Sequence, residues 1–145
     1  MIKHADCQAC LIYDPEHNVI AAIHCGWRGN EQNIYDKVIK KLSSRWGSSP
    51  DSLLACIGPS LGPLHAEFTE WKKELPESFW PFQKEPNHFD LWAIAEDQLH
   101  KSGIKKSHIE IARMCTYEEK DLFYSFRRDG LTGRNATCIF LEKKA

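Results

Sequence analysis

An α/β fold on a mixed sheet is what the sequence predicts, and three observations carry it. Two short apolar runs, 8–13 and 19–24, flank a turn and read as a β-hairpin. Two longer stretches, 31–45 and 91–102, place apolar residues at helical spacing. Further short apolar runs lie among these without strict alternation of strand and helix, which suits a mixed sheet.

Along the chain, Asp14-Pro15 signals the turn after the first run, and Gly26 bounds the second. Residues 25–29 predict a further turn, with Gly26 and Gly29 suited to positive φ. A helix follows from Glu31 to Arg45, with Ile34, Val38 and Leu42 as its buried stripe, and Gly47 to Pro50 ends it. Leu53 to Ile57 predicts a buried strand and Gly58 to Pro63 a rigid loop. Ala66 to Leu75 predicts a helix carrying Phe68 and Trp71, and the proline-interrupted 76–87 reads as irregular. Asp90 is placed to cap a helix running to about Ser102, with Leu91, Ile94, Ala95, Gln98 and Leu99 inward and Gly103 at its end. Ile109 to Arg113, Leu122 to Phe126 and Thr137 to Leu141 predict short strands, the last followed by a charged tail.

The chain has 145 residues, the size of one domain. Its 42% apolar and 27% charged residues exclude disordered and fibrous classes. With 19 Lys and Arg against 20 Asp and Glu, the net charge of -1 gives no footprint for nucleic acid or an anionic membrane. No run approaches the ~20 apolar residues of a membrane span, and no apolar leader is visible at the start, so a cytoplasmic location is expected. In that setting the six cysteines are not read as a disulfide framework. Cys56 and Cys138, inside apolar runs, are expected to be buried, and His17, His88, His100 and His108 to lie at the surface.

Three segments have chemical character. Hairpin pairing brings Cys7, at the start of one strand, near His24, at the end of its partner, and thiolate with imidazole is a partial zinc ligand set. The competing reading is a buried thiol beside a core histidine. The loop after His24 opens a helix, where backbone amides and Arg28 favour an anion. Arg127, Arg128 and Arg134 crowd a turn with Gly130 and Gly133, able to hold phosphate or carboxylate, or else a solvated loop paired with Asp129. Cys7 and Cys10 have CxxC spacing, but residues i and i+3 of a strand face opposite ways, which disfavours a shared redox site and equally counts against His4 as a ligand beside Cys7.

Together the segments resemble the YfiH family, described variously as polyphenol oxidase (laccase), purine nucleoside phosphorylase and peptidoglycan editing factor. The match runs over essentially the whole chain: Ala5-Asp6-Cys7, His24 to Gly29, Gly58 to Pro63, Cys115-Thr116-Tyr117, Tyr124 to Asp129 and Thr132-Gly133-Arg134. The resemblance implies a layered α/β (α+β) fold of mixed sheets with flanking helices. It implies a zinc held by one Cys and two His, with Cys7 and one His, His24, at the matching positions, both catalytic. It also implies phosphorolysis of purine nucleosides (adenosine, inosine, methylthioadenosine); phosphate is then the expected co-substrate, and Arg28, Arg127, Arg128 and Arg134, read above as anion binders, are the candidates to hold it. Adenosine deamination and editing of peptidoglycan precursors are the further activities implied. The laccase name implies copper, but no His-x-His pairs are present for a multinuclear copper cluster. Two departures stand out. Cys25 replaces the usual alanine after the histidine, and the family's other zinc histidine lies upstream of the Ala-Asp-Cys turn. A single, N-terminally truncated domain is therefore expected over 1–145, with a third ligand from elsewhere, or an inactive remnant needing a separate fragment. Cys25 and His4 are the nearby candidates for that ligand.

Overall fold

The computed structural model describes residues 1–142. In chain order it forms β1 (Ile2–His4), β2 (Gln8–Asp14), β3 (Val19–Cys25), α1 (Trp27–Glu31), α2 (Ile34–Trp46), β4 (Leu54–Ile57), α3 (Trp71–Glu74), β5 (Gln83–Glu85), β6 (His88–Phe89), α4 (Leu91–Lys101), β7 (Ile109–Ile111), α5 (Phe126–Asp129) and β8 (Asn135–Thr137). The predicted hairpin is present, β2 and β3 pairing antiparallel from Gln8 opposite Cys25 to Asp14 opposite Val19. Its turn is tied by the Asp14 carboxylate, which accepts from the amides of Glu16 (2.9 Å) and His17 (3.2 Å) and pairs with His17 Nδ1 at 2.8 Å.

The principal sheet has the order β3-β2-β4-β7, with β4 and β7 parallel and the other pairs antiparallel. It is mixed, as expected. The helices α2 and α4 cover one face, where Cys10, Ile12, Ile23, Tyr35, Ile39, Ile57 and Leu99 form the main core. Truncating a side chain such as fully buried Leu99 to alanine there would cost about 2–5 kcal/mol. A second apolar cluster gathers Leu61, Phe68, Phe79, Phe89, Leu91 and Ile94, with Trp27 and Trp71 packed against it. Two smaller antiparallel pairs complete the strands: β5 with β6, and β1 with β8.

α4 matches its expected bounds, with Asp90 accepting from the Ala93 amide at 2.9 Å. Several other segments differ from expectation. Residues 25–29 are not a loop: Gly26 caps α1, and the helical stretch breaks at Asn33, whose φ of 47° starts α2 anew. Ala66 to Phe68 is not helical, because Phe68 donates to Asn87 O and Phe89 donates to Ala66 O, and Thr69 lies in a turn; only Trp71–Glu74 of the stretch is helical. Residues 122–125 are irregular and not a strand, with Arg128 capturing the Phe123 carbonyl at 2.9 Å, and Phe126 opens α5. The final strand ends at Thr137, not Leu141, because its register is set by β1. Of the charged tail, all but Glu142 lies outside the described residues.

Cys56 and Cys138 are both exposed, contrary to expectation. In β4 the reason is alternation: Ala55 and Ile57 enter the core, so Leu54 and Cys56 face the other side. An apolar run does not by itself reveal whether both faces of its sheet are covered.

Candidate functional site

The site is built where β1 gives way to β2. Ala5 to Cys7 form a bend, with Asp6 at φ 84°, in the left-handed region that few non-glycine residues adopt. What holds Asp6 there is its carboxylate. Oδ1 accepts from the Thr116 hydroxyl at 2.7 Å, and Oδ2 accepts from the Arg127 amide at 2.6 Å. A single side chain thus ties the Cys7 bend to two segments distant in sequence.

Around this bend lies a cavity of about 450 Å³, within the usual range for small-molecule sites. His4, Asp6, Cys7, His24, Arg127 and Arg134 supply its polar side, and Trp27, Leu61, Phe68, Leu91 and Phe126 its apolar side. Cys7 and His24 therefore line one cavity. His24 stands opposite Ala9 in the hairpin register, and the bend at residues 5–7 brings Cys7 to the same cavity. The bend also reverses the argument against His4. The strand does not run through residues 4–7, so His4 and Cys7 line the same cavity. His4 is buried, its Nε2 lies 2.9 Å from Thr137 Oγ1, and its Nδ1 has no hydrogen-bond partner. Burial, and next the His24 ring, hold its pKa below the ordinary imidazole value.

The Cys7 thiol is pushed up by burial and by the Asp6 carboxylate, with Arg134 partly opposing them. It is thus not an activated free nucleophile at neutral pH. Cys25 belongs chiefly to the core: it is 1% exposed, and burial raises its thiol to about 12. The glycines of this segment are required for reasons other than those predicted. Gly26 has φ -83°, and a Cβ there would stand 3.0 Å from Cys7 Sγ. A Cβ on Gly29 would meet Cys25 Sγ at the same distance. They make room for sulfur and do not serve positive φ.

The arginines divide. Arg127 and Arg134 line the cavity. Arg127 gives Nη1 to Glu67 O at 3.0 Å, and Arg134 gives Nη1 to the carbonyls of Thr132 and Gly133. Arg28 lies outside the lining, its guanidinium 4.2 Å over the Trp27 ring, where a cation–π contact steadies that wall. Arg128 is spent on the fold. Its nitrogens reach the carbonyls of Thr116, Tyr117 and Phe123 and both carboxylate oxygens of Asp129, at 2.8–2.9 Å. It has no donor left for a phosphate. Asp6, which holds the bend, escaped the residue-by-residue reading because its partners Thr116 and Arg127 are more than 100 positions away.

Residues 1–142 match the family model described as multi-copper polyphenol oxidoreductase laccase. The chain belongs to that family. A purine nucleoside phosphorylase of Bacteroides thetaiotaomicron is 36% identical over 155 residues, covering 98% of this chain and 56% of that protein. Purine nucleoside phosphorylase YfiH of Escherichia coli is 30% identical, covering 97% and 58%. The crystal structure of a Bacillus licheniformis hypothetical protein YfiH superposes with a TM-score of 0.82 at 30% identity, over 91% of this chain and 53% of that one. YlmD from Geobacillus stearothermophilus gives 0.81 at 28%, with the same coverage. The layered α/β fold of the YfiH family is thereby shown. This chain spans about half the length of the relatives it matches. No helix among the described residues is long and apolar enough to cross a membrane.

Proposed function

We propose that this chain carries the metal- and phosphate-binding part of a purine nucleoside phosphorylase. The carrying observation is the cavity itself, whose aromatic wall (Trp27, Phe68, Phe126) faces a rim bearing Cys7, His24, Arg127 and Arg134. An aromatic wall suits a purine, and two guanidinium groups suit phosphate. The names of the relatives support the same substrate class.

The residues fit a bound metal. Cys7 and His24 line the one cavity, and the unpartnered Nδ1 of His4 is buried in its lining. Sulfur and imidazole donors suit zinc, and equally Cu(I), in line with the family's description as a multi-copper oxidoreductase. When bound, zinc would supply positive charge beside the anionic co-substrate. Arg127 and Arg134 hold phosphate against the anomeric carbon of the nucleoside. A phosphate oxygen bonds to that carbon as the glycosidic bond breaks, and the purine leaves with the bonding pair and is protonated. The apolar wall keeps competing water from the same carbon.

The test is release of hypoxanthine from inosine, and adenine from adenosine, by zinc-loaded protein with and without phosphate. Base release that needs phosphate and falls with a chelator is expected. No base release by the zinc-loaded chain overturns the reading for this chain. Inosine formed from adenosine would add deamination at the same cavity.

A further inference from the structure

Among the described residues, one other group of side chains outside the cavity has ligand character. Cys115 is 4% exposed, and its sulfur accepts from the Gly62 amide at 3.2 Å. His65 Nε2 lies 3.1 Å from Glu118 Oε1, and its ring stacks on Tyr117 with centroids 4.0 Å apart. One donor atom from each of His65, Cys115 and Glu118 falls within 4.8 Å of the others. None of the three served the cavity, and they come from two segments 50 positions apart that interlock. Ser60 donates its amide to Met114 O, and Thr116 donates to Ser60 O.

We propose that His65, Cys115 and Glu118 form a second metal site, for an ion of the zinc class, that clamps the 58–66 loop to the 115–118 segment.

The donor set selects the ion. Thiolate, imidazole and carboxylate together suit zinc and disfavour magnesium and calcium, which prefer all-oxygen shells. Zinc–sulfur and zinc–nitrogen bonds of about 2.3 and 2.0 Å place two tetrahedral donors about 3.5 Å apart. The present spacing closes to that with a movement of about 1 Å. His65 and Glu118 have room to make it, with side chains 27% and 52% exposed, while the sulfur stays fixed. The loop is shaped around that sulfur. A Cβ on Gly62 would stand 3.0 Å from Cys115 Sγ and 3.2 Å from Trp92, so only glycine brings its amide to the thiol. An amide donor behind a ligand atom and a ring stacked beside another are what orients a metal's ligands.

The clamp has a reach beyond its own ligands. Thr116 donates to Asp6, and the carbonyls of Thr116 and Tyr117 hold Arg128. An ion fixing 115–118 therefore also fixes the bend carrying Cys7 and the short helix α5 carrying Arg127. Three protein ligands leave one position for water, the coordination pattern of an open zinc site.

The experiment isolates this site by removing the other one. The Cys7→Ser/His24→Ala variant is dialysed against zinc alone, its metal content is measured, and its melting temperature is followed with zinc concentration. One equivalent bound and a rising Tm are expected. Adding Glu118→Gln or His65→Ala, changes at exposed side chains, should weaken zinc binding by roughly 10–100-fold or more. A parallel arm uses cobalt(II) alone on the intact chain. A thiolate-to-cobalt absorption that persists in Cys7→Ser and disappears in Cys115→Ser supports the site. The proposal is overturned if the double variant takes up no zinc, if Glu118→Gln and His65→Ala leave uptake unchanged, or if the cobalt band depends on Cys7 alone.

Discussion

Cys7 and Cys115 occupy loops that begin alike and end differently. Each sulfur rests against a glycine that has no room for a side chain, Gly26 in one case and Gly62 in the other. Around Cys7 the neighbours stand back: His4, His24, Arg127 and Arg134 edge a cavity of about 450 Å³. Around Cys115 they close in, with His65 and Glu118 already 3.1 Å apart. The first loop is arranged to admit something from outside, and the second to be pinned by something small. Cysteine beside glycine thus marks a place where backbone is brought against sulfur, and the residues beyond decide whether that place is open or shut.

Asp6 couples the two loops, so removing it gives the largest effect. Asp6→Ala leaves the Thr116 hydroxyl and the Arg127 amide without partners and puts alanine at φ 84°. A loss of about 3 kcal/mol in urea unfolding is expected. A loss under about 0.5 kcal/mol would show that the loops are not coupled through it.

The glycines sharpen the contrast directly. Gly62→Ala meets Cys115 Sγ, Cys115 Cβ and Trp92, all close, and should cost about 2 kcal/mol. Gly26→Ala meets only the sulfur of half-buried Cys7 closely, and should cost less than about 1 kcal/mol while reducing metal uptake at the cavity. Equal costs would erase the distinction between an open and a shut loop.

The neighbouring arginines split the same way. Arg127→Ala should raise KM for phosphate about tenfold with little change in Tm. Arg128→Ala should lower Tm by more than Arg127→Ala, because its guanidinium holds three carbonyls and Asp129. The reverse pattern would exchange their roles.

The smallest effect is chemical. Burial and Asp6 raise the Cys7 thiol, so the reactive thiolate is scarcer at pH 7.5 than for an ordinary exposed thiol. Iodoacetamide should label Cys7 several-fold more slowly than a small free thiol at that pH, with the rate still climbing where the free thiol has levelled off. Arg134→Ala, which removes the opposing cation, should slow it further.

These contrasts also mark what the sequence makes legible. The hairpin and α4 are visible because alternation, a turn and a cap act over a few residues. The place of His24 opposite Ala9, beside the Cys7 bend, follows from that hairpin. Three things depend on distant contacts. Asp6 needs Thr116 and Arg127, His65 needs Cys115, and Arg128 acquires its structural role only when the Thr116 and Tyr117 carbonyls arrive. Arg127 and Arg128 are identical in type and adjacent, so nothing local separates the one that lines the cavity from the one that is consumed. The left-handed Asp6 is similarly hidden, because a bend between two strands leaves no mark in an apolar pattern.

The pairing of β1 with β8 bears on the order of assembly. His4 and Thr137 meet across 133 positions, whereas β2 and β3 meet across a four-residue turn. Loop closure makes the first contact slow and entropically costly and the second fast. The His4 edge of the cavity is therefore among the last parts to form as the chain folds and among the first to open. Amide exchange should find β1 and β8 the least protected strands, even while the hairpin beside them stays closed.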